Sequence, residues 1–329
     1  MERFMRFIKT VSVALVLLTA LLCFASCDDG PDVAEDVYYT VSFNTVGGTE
    51  IESIRVLAGS KIGKPADPEK EGYIFSSWKN GTIPWDFESD TVDSDITLNA
   101  VWLDVRNFFD YSVKDGEVTI TGFKGSMVSV RTPDVIDGLP VVAIADYAFE
   151  NFGSGMLQEI TVTENIRHIG EGAFANASSL IIHVEAKPEY IGPKAFLNCE
   201  RLERIELGTG LTEVSFEAFS GCTGLREVIL SDTVEKIAEN AFELCSALET
   251  VVAHESLEAV EDSAFVDCDA LRAVCYYGTA EAWADTEISE GNHGNDTLLA
   301  AKLYIYSETE PTADGDFWYF SNDGKIRVW

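Results

Sequence analysis

The chain has 329 residues, of which 46% are hydrophobic and 11% aromatic, enough apolar material for about two domains with substantial cores. Its 56 acidic and 23 basic side chains give a formal net charge of −33, so nucleic acids and anionic lipid headgroups are poor partners because like charges repel. The aromatic content also separates the chain from disordered acidic tails. These numbers leave enzymes and binding proteins open, so the motifs must decide between them.

The first 26 residues have the pattern of an export signal. Three basic residues, Arg3, Arg6 and Lys9, precede an uncharged stretch from Thr10 to Ser26 that is rich in Val, Leu and Ala. The stretch is shorter than the ~20 residues that comfortably span a bilayer. We therefore expect residues 1–26 to be a signal peptide rather than a membrane-spanning anchor.

Cys27 follows two small residues, Ala25 and Ser26. This sequence resembles the lipobox of bacterial lipoproteins, with Phe24 at the position where that motif usually has Leu. The resemblance implies cleavage before Cys27 and acylation of that residue. Residues 27–37 are acidic and contain Gly and Pro, so we expect a flexible tether that keeps the folded part near the membrane.

Residues 38–104 show the period-2 alternation of β-strands, interrupted by turn residues. Tyr39, Val41 and Phe43 alternate with polar residues, and Asn80-Gly81 is a dipeptide typical of tight hairpin turns. The pattern predicts a small domain of strands joined by short turns.

Four segments of this domain carry a family resemblance: VSFNTVGG, GYIFSSW, PWDF and ITLNAVW, which begin at Val41, Gly72, Pro84 and Ile96. They resemble the Listeria–Bacteroides repeat, the B-repeat of internalin-type surface proteins, although Ser77 stands where that family usually has Gly. The resemblance implies a β-grasp-like module that serves as a spacer or interaction unit and carries no known chemistry.

An Ala-Phe pair recurs six times in the second half of the chain. The intervals between the phenylalanines are 25, 22, 23, 23 and 23 residues, and the residues are Phe149, Phe174, Phe196, Phe219, Phe242 and Phe265. A period in this range indicates stacked supersecondary units. Each unit predicts a short Ile-x-Leu strand and a turn that carries the Phe ring inward, so that stacking buries all six rings in one core. The longer first interval is explained by two extra residues in the loop at Gly153–Gly155.

The full unit, Ile-x₄-Phe-x₂-Cys-x₂-Leu-x₂-Ile-x-Leu, resembles the BspA-type leucine-rich repeat of bacterial surface antigens. The resemblance implies a mainly β protein in which the β-grasp-like domain is followed by a leucine-rich-repeat solenoid with terminal caps. We assign residues 105–140 to the N-terminal cap, 141–276 to the repeats and 277–329 to the C-terminal cap. Caps are expected because an open solenoid end would expose its core and an unpaired strand edge.

Cysteines recur three residues after the Phe, at Cys199, Cys222, Cys245 and Cys268. The first two repeats carry Phe152 and Ala177 at this position, so it selects apolar bulk rather than sulfur chemistry. We predict free thiols that stack as small buried side chains in the repeat core. Disulfides, which an extracytoplasmic location allows, and metal ligation are the alternatives.

No residue pattern in the chain indicates catalysis. The histidines have neither the spacing of a metal site nor a G-x-S-x-G nucleophile elbow nearby, and they are His168, His183, His254 and His293. Carboxylates are so numerous that pairs at any spacing arise by chance. We therefore predict no catalytic residues, no metal and no cofactor.

Strand alternation predicts which side chains point away from the core. The outward position of successive repeats is held by Thr161, His183, Glu206, Ile229, Val252 and Cys275. This row turns from polar to apolar, and contiguous exposed apolar surface often marks a contact site. We take the row from His183 to Cys275 as the candidate binding face. In the alternative, the segment after Tyr276 folds back and covers the apolar part.

These features predict a lipid-anchored, extracytoplasmic protein of the bacterial cell surface that binds other macromolecules through its solenoid. Both resembled families imply adhesion and contact with extracellular or cell-surface proteins, with glycans as a further class of partner. The alternative function is a glycan-binding accessory lipoprotein of a surface polysaccharide uptake system. Its sugar-stacking residues would be Trp283, Trp318 or Trp329, which could instead seal the C-terminal cap.

Overall fold

The computed structural model describes residues 36–152, 157–290, 294–312 and 315–329. The predicted signal peptide, Cys27, most of the tether, the Gly153–Gly155 loop and His293 lie outside the described residues. Within the described ranges, no helix has the length and apolar character needed to cross a membrane.

The N-terminal module is one mixed five-stranded sheet. Its strands are β1 (Tyr38–Asn44), β2 (Ile54–Leu57), β3 (Tyr73–Asn80), β4 (Ile83–Pro84) and β5 (Ile96–Asp104). β1 pairs with β2 antiparallel and with β5 parallel, and β5 pairs with β3 antiparallel. The core is built around Trp78, with the rings of Phe43 and Phe75 at 5.2 and 5.4 Å. At the hairpin from β3 to β4, Gly81 has the positive φ (+60°) that favours glycine at a tight turn.

The next segment forms a coil ahead of the first repeat. It contains a 3-10 turn at Val105–Asn107, then β6 (Phe109–Lys114), β7 (Glu117–Phe123), β8 (Ser129–Arg131), β9 (Val135–Ile136) and β10 (Leu139–Ile144). β7 and β8 pair in parallel with strands of the first repeat, while β6 folds back antiparallel on β7. The antiparallel β6 therefore ends this side of the solenoid.

The repeats supply one longer and one shorter strand each. The longer strands, together with those that extend their sheets, are β11 (Glu159–Val162), β13 (Ile181–Val184), β15 (Arg204–Glu206), β17 (Glu227–Ile229), β19 (Thr250–His254), β21 (Ala273–Tyr277), β23 (Lys302–Tyr306), β24 (Phe317–Phe320) and β25 (Ile326–Val328). The shorter strands are β12 (His168–Ile169), β14 (Tyr190–Ile191), β16 (Glu213–Val214), β18 (Lys236–Ile237), β20 (Ala259–Val260) and β22 (Glu287–Ile288). Sequence alternation predicted only the longer strands, because two residues are too few to show a period.

The last coil differs from the repeats in having two short helices, α1 (Ala280–Ala284) and α2 (Asp296–Ala300). Its strands β22 and β23 nevertheless pair in parallel with β20 and β21. The coil architecture thus continues past residue 276, where the predicted repeats end.

The six repeat phenylalanines form a continuous stack. Their side chains are fully buried, and neighbouring ring centroids lie 5.1–5.3 Å apart with interplanar angles of 5–19°. The turn that carries each ring has positive φ both two residues before and two residues after the Phe, with values from +50° to +72°. The residues before the ring are Tyr147, Gly172, Lys194, Glu217, Asn240 and Ser263, and those after it are Asn151, Asn176, Asn198, Gly221, Leu244 and Asp267.

Both sheets are interrupted at one place. Among the described strands, no pairing joins β13 to β15 or β14 to β16, although the Phe turns stay connected through bonds such as Phe196 N–H to the Ala218 carbonyl at 2.8 Å. The interruption follows the 22-residue interval between Phe174 and Phe196. The residue missing from that repeat precedes β13, and a one-residue shift is enough to destroy the register of a ladder.

Phe219 lies between Phe196 and Phe242, so its truncation would leave a cavity inside the stack. We expect Phe219→Ala to lower the free energy of unfolding by about 3–5 kcal/mol, measured by urea denaturation. Phe216→Ala is the matched control, because Phe216 is only half-buried and lies outside the stack. Equal losses in the two variants would contradict a buried ring stack.

Leu244 is the one apolar residue among the six positive-φ positions after the ring, and it is 45% exposed. A bulky side chain is strained in this conformation, whereas Asn adopts it readily. We expect Leu244→Asn to stabilise the protein by about 0.5–1 kcal/mol in the same measurement. Leu197→Asn, at a half-buried position without positive φ, should bring no gain; a gain there too would point to a cause other than backbone strain.

Candidate binding face

The predicted outward row is present but interrupted. Thr161 pairs with His183, and Glu206, Ile229, Val252 and Cys275 pair in succession. The break between β13 and β15 separates His183, which is exposed, from Glu206, which is half-buried. The row therefore has a polar part around the break and an apolar part beyond it.

The apolar part is not available to a partner, which corrects the binding face predicted above. Ile229, Val252 and Cys275 are 9%, 0% and 1% exposed. They form a second, smaller core with Trp318, whose side chain is fully buried. Covering three stacked apolar side chains is favourable because it removes their surface from water. The candidate face is thus reduced to its polar members.

The cover is the hairpin formed by β24 and β25 at the end of the chain. β24 pairs in parallel with β23, and β25 returns antiparallel, so the last sheet curls over its own outer face. The ring of Trp318 lies 4.9 Å from that of Tyr277 and 5.1 Å from those of Tyr306 and Phe320. Its Nε1–H donates to the Tyr276 carbonyl at 3.4 Å, which satisfies the buried indole.

The three tryptophans named as sugar-stacking candidates have different surroundings. Trp318 is buried, and Trp283 is half-buried with its ring 5.3 Å from that of Tyr276. Trp329 is 45% exposed, but one of its faces stacks on Tyr319 at 4.2 Å. Trp318 and Trp283 therefore pack within the C-terminal cap, and only Trp329 keeps substantial exposure.

The outer face of β8, β11, β13 and β15, here called the open face, lies outside the cover. A groove of about 680 Å³ follows the break along this face. Charged side chains on and beside the face pair across coils, with separations of 2.6–3.0 Å for the pairs Arg131–Glu185, His183–Glu159 and Arg204–Glu227. Lys187 forms a further pair with Glu206. The open face is therefore charge-balanced on a chain that is otherwise strongly acidic.

The cysteines of the repeat turns are free thiols and fully buried. Each Sγ–H donates to the carbonyl of the Phe one coil earlier, at 3.1–3.2 Å. Burial raises the pKa of the Cys222 thiol to about 12, so it stays protonated and is not a nucleophile. Within the described part of the chain, no three His, Cys, Asp or Glu side chains are grouped to hold a metal ion.

Two histidines stack on tyrosines of the following coil. His168 lies 4.3 Å from Tyr190 and His254 lies 4.3 Å from Tyr277, with nearly parallel rings in both pairs. Burial lowers the pKa of both His168 and His254, so both imidazoles are neutral near pH 7. The pairing of His254 with Tyr277 follows from their 23-residue spacing, a signal that was present in the sequence but not used.

Residues 142–272 match the model of the family described as the BspA type leucine rich repeat region, in six copies. The solenoid is a BspA-type leucine-rich repeat region. Residues 39–101 match the Listeria-Bacteroides repeat domain, which identifies the five-stranded module. The six copies of the BspA-type repeat correspond to the six coils whose phenylalanines stack.

Curated relatives match only a small part of the chain. Two proteins of Evansella cellulosilytica, whose names carry the words "Gly-rich membrane protein" and "membrane protein", are 45% and 43% identical over 67 residues, or 20% of this chain. This match covers 8% and 10% of their own length.

Among solved structures, the leucine-rich repeat protein TpLRR of T. pallidum is 27% identical, with 51% of this chain and 69% of that chain covered and a TM-score of 0.35. A leucine-rich repeat protein from Bacteroides ovatus is 19% identical, with 60% and 69% covered and a TM-score of 0.30.

Val252 and His183 occupy the same outward position in different coils, one covered and the other exposed. We expect Val252→Asp to destabilise the protein by several kcal/mol, about 3 or more, because an unpaired carboxylate would be buried beneath Trp318. His183→Asp should change the free energy of unfolding by no more than about 1 kcal/mol. Thermal and urea unfolding measure both, and a silent Val252→Asp would mean that the hairpin does not cover this position in solution.

Proposed function

We propose that the protein is held at the bacterial surface by a lipid on Cys27 and binds a protein partner on its open face. The observation that carries the proposal is the division of the outer sheet face by the hairpin. The apolar half is covered by Trp318, whereas the charged half around His183 and Glu206 stays accessible. Repeat solenoids use such laterally extended faces for recognition.

The chemistry of the open face suits a reversible protein contact. Its ion pairs are largely exposed and each contributes no more than about 1 kcal/mol to stability. Arg131 and Arg204 can therefore exchange their present carboxylate partners for those of another protein at low cost. Paired charges on such a face set the orientation and specificity of a complex more than its raw affinity.

The remaining parts of the chain fit display outside the cytoplasm. The Listeria–Bacteroides module and the acidic segment before it separate the solenoid from Cys27, and BspA-type repeats occur in bacterial surface proteins. The net charge of −33 keeps the protein soluble and away from anionic surfaces.

Binding to the open face is tested with the full-length protein, immobilised in detergent and probed with a panel of purified extracellular-matrix proteins. We expect at least one of them to bind, and the double variant Arg131→Glu, Arg204→Glu to weaken that binding by about tenfold or more, because two charges of the face are reversed. Lys236→Glu is the matched control, since Lys236 is paired with Glu213 and Glu261 on the short-strand side. Equal effects of both changes would place the contact elsewhere.

The lipid anchor is tested by mass spectrometry of protein extracted from membranes. We expect a chain that begins at residue 27 and carries acyl groups on Cys27, and we expect Cys27→Ala to remain unprocessed and unacylated. A Cys27→Ala protein that is still cleaved and membrane-bound would contradict this part of the proposal.

A further inference from the structure

A second outward row runs two residues beyond the first, at the ends of the long strands. On the side of the hairpin it consists of aromatic rings: Tyr306 lies 4.4 Å from Tyr277, which stacks on His254 at 4.3 Å and 9°. The next two positions of the row are Ser231 and Gly208. Since neither carries a ring, the stack ends at His254, and one face of its imidazole is left without an aromatic partner.

The change from rings to small residues opens a trough of about 430 Å³. His254 borders it on one side, and Phe320 and Gly324 of the hairpin border it on another. The Lys187–Glu206 ion pair lies at its far edge. A volume of this size lies within the range of about 300–1,000 Å³ that is typical of small-ligand sites.

Polar groups in the trough offer hydrogen bonds of both kinds. Asp232 is exposed and has no ion-pair partner among the described residues, so its carboxylate is free to accept. Thr209 adds an exposed hydroxyl, and the ammonium group of Lys187 adds a donor. Because Lys187 is neutralised by Glu206, the trough carries little net charge of its own.

A hexose ring matches this combination of groups. Its flat face of C–H bonds can lie on a planar ring such as that of His254, and its rim of hydroxyls can both donate and accept. A neutral sugar is also not repelled by a chain of net charge −33, whereas an anionic ligand is.

We infer that the trough binds a neutral hexose unit of a glycan, with His254 as the platform for the ring and Asp232 as the acceptor that fixes its hydroxyls. This site is distinct from the protein-binding function proposed for the open face. The two are tested with different variants and different probes, so either can fail alone.

The test titrates the full-length protein with maltohexaose, mannohexaose and a galactose hexamer by isothermal calorimetry. At least one of the three should bind, and His254→Ala and Asp232→Asn should each weaken that binding by about tenfold or more. His168→Ala is the matched control, because His168 also stacks on a tyrosine at 4.3 Å but lies outside the trough, and it should leave the affinity unchanged.

The unfolding midpoint of each variant is measured alongside, and Asp232→Asn keeps the inference testable if His254→Ala fails to fold, since Asp232 is exposed. No binding of any hexamer, or binding that is unchanged in Asp232→Asn, would overturn the inference. Binding of a nona-arginine peptide that depends on Asp232, in the absence of sugar binding, would also overturn it and identify a basic peptide as the occupant.

Discussion

The stack of phenylalanine rings ties every coil of the solenoid to its neighbours. A ring 5.1–5.3 Å from the next is buried only if the coils above and below present their own rings in the same place. The tight turns around each ring make this placement reproducible, because positive φ on both sides of the Phe bends the chain in the same way in all six repeats. Neighbouring coils therefore depend on one another for burial, and stability accumulates along the array rather than within one unit.

The row of thiols adds a polar contact to this apolar stack. The sequence comparison with Phe152 and Ala177 suggested that only bulk matters at this position. In the structure, however, Cys199 and its three counterparts each donate to a Phe carbonyl of the preceding coil. Sulfur thus satisfies a backbone acceptor in the core while filling the space of a small apolar side chain. An apolar side chain fills that space without supplying this hydrogen bond.

Features that recur in every coil could be predicted from the sequence, because six copies reveal them. The repeat boundaries, the inward Phe and the outward row from Thr161 to Cys275 are of this kind. The break between β13 and β15 could not be predicted, since it depends on how one missing residue is distributed between two sheets. Whether the apolar part of the row is covered was also undecided, because that depends on where Trp318, a residue outside the repeats, comes to rest.

The two ends of the solenoid meet the same requirement by different means. At the N-terminal end, β6 folds back antiparallel on β7. At the other end, the buried side chain of Asn295 takes the place of the next repeat: its Oδ1 accepts from Phe265 N–H, as the Ala264 carbonyl does from Phe242 N–H one coil earlier. The hairpin then covers the outer face from Ile229 to Cys275. Its edge, at Phe320 and Gly324, is also one border of the trough. The element that closes the solenoid therefore determines which part of the outer face a partner can reach.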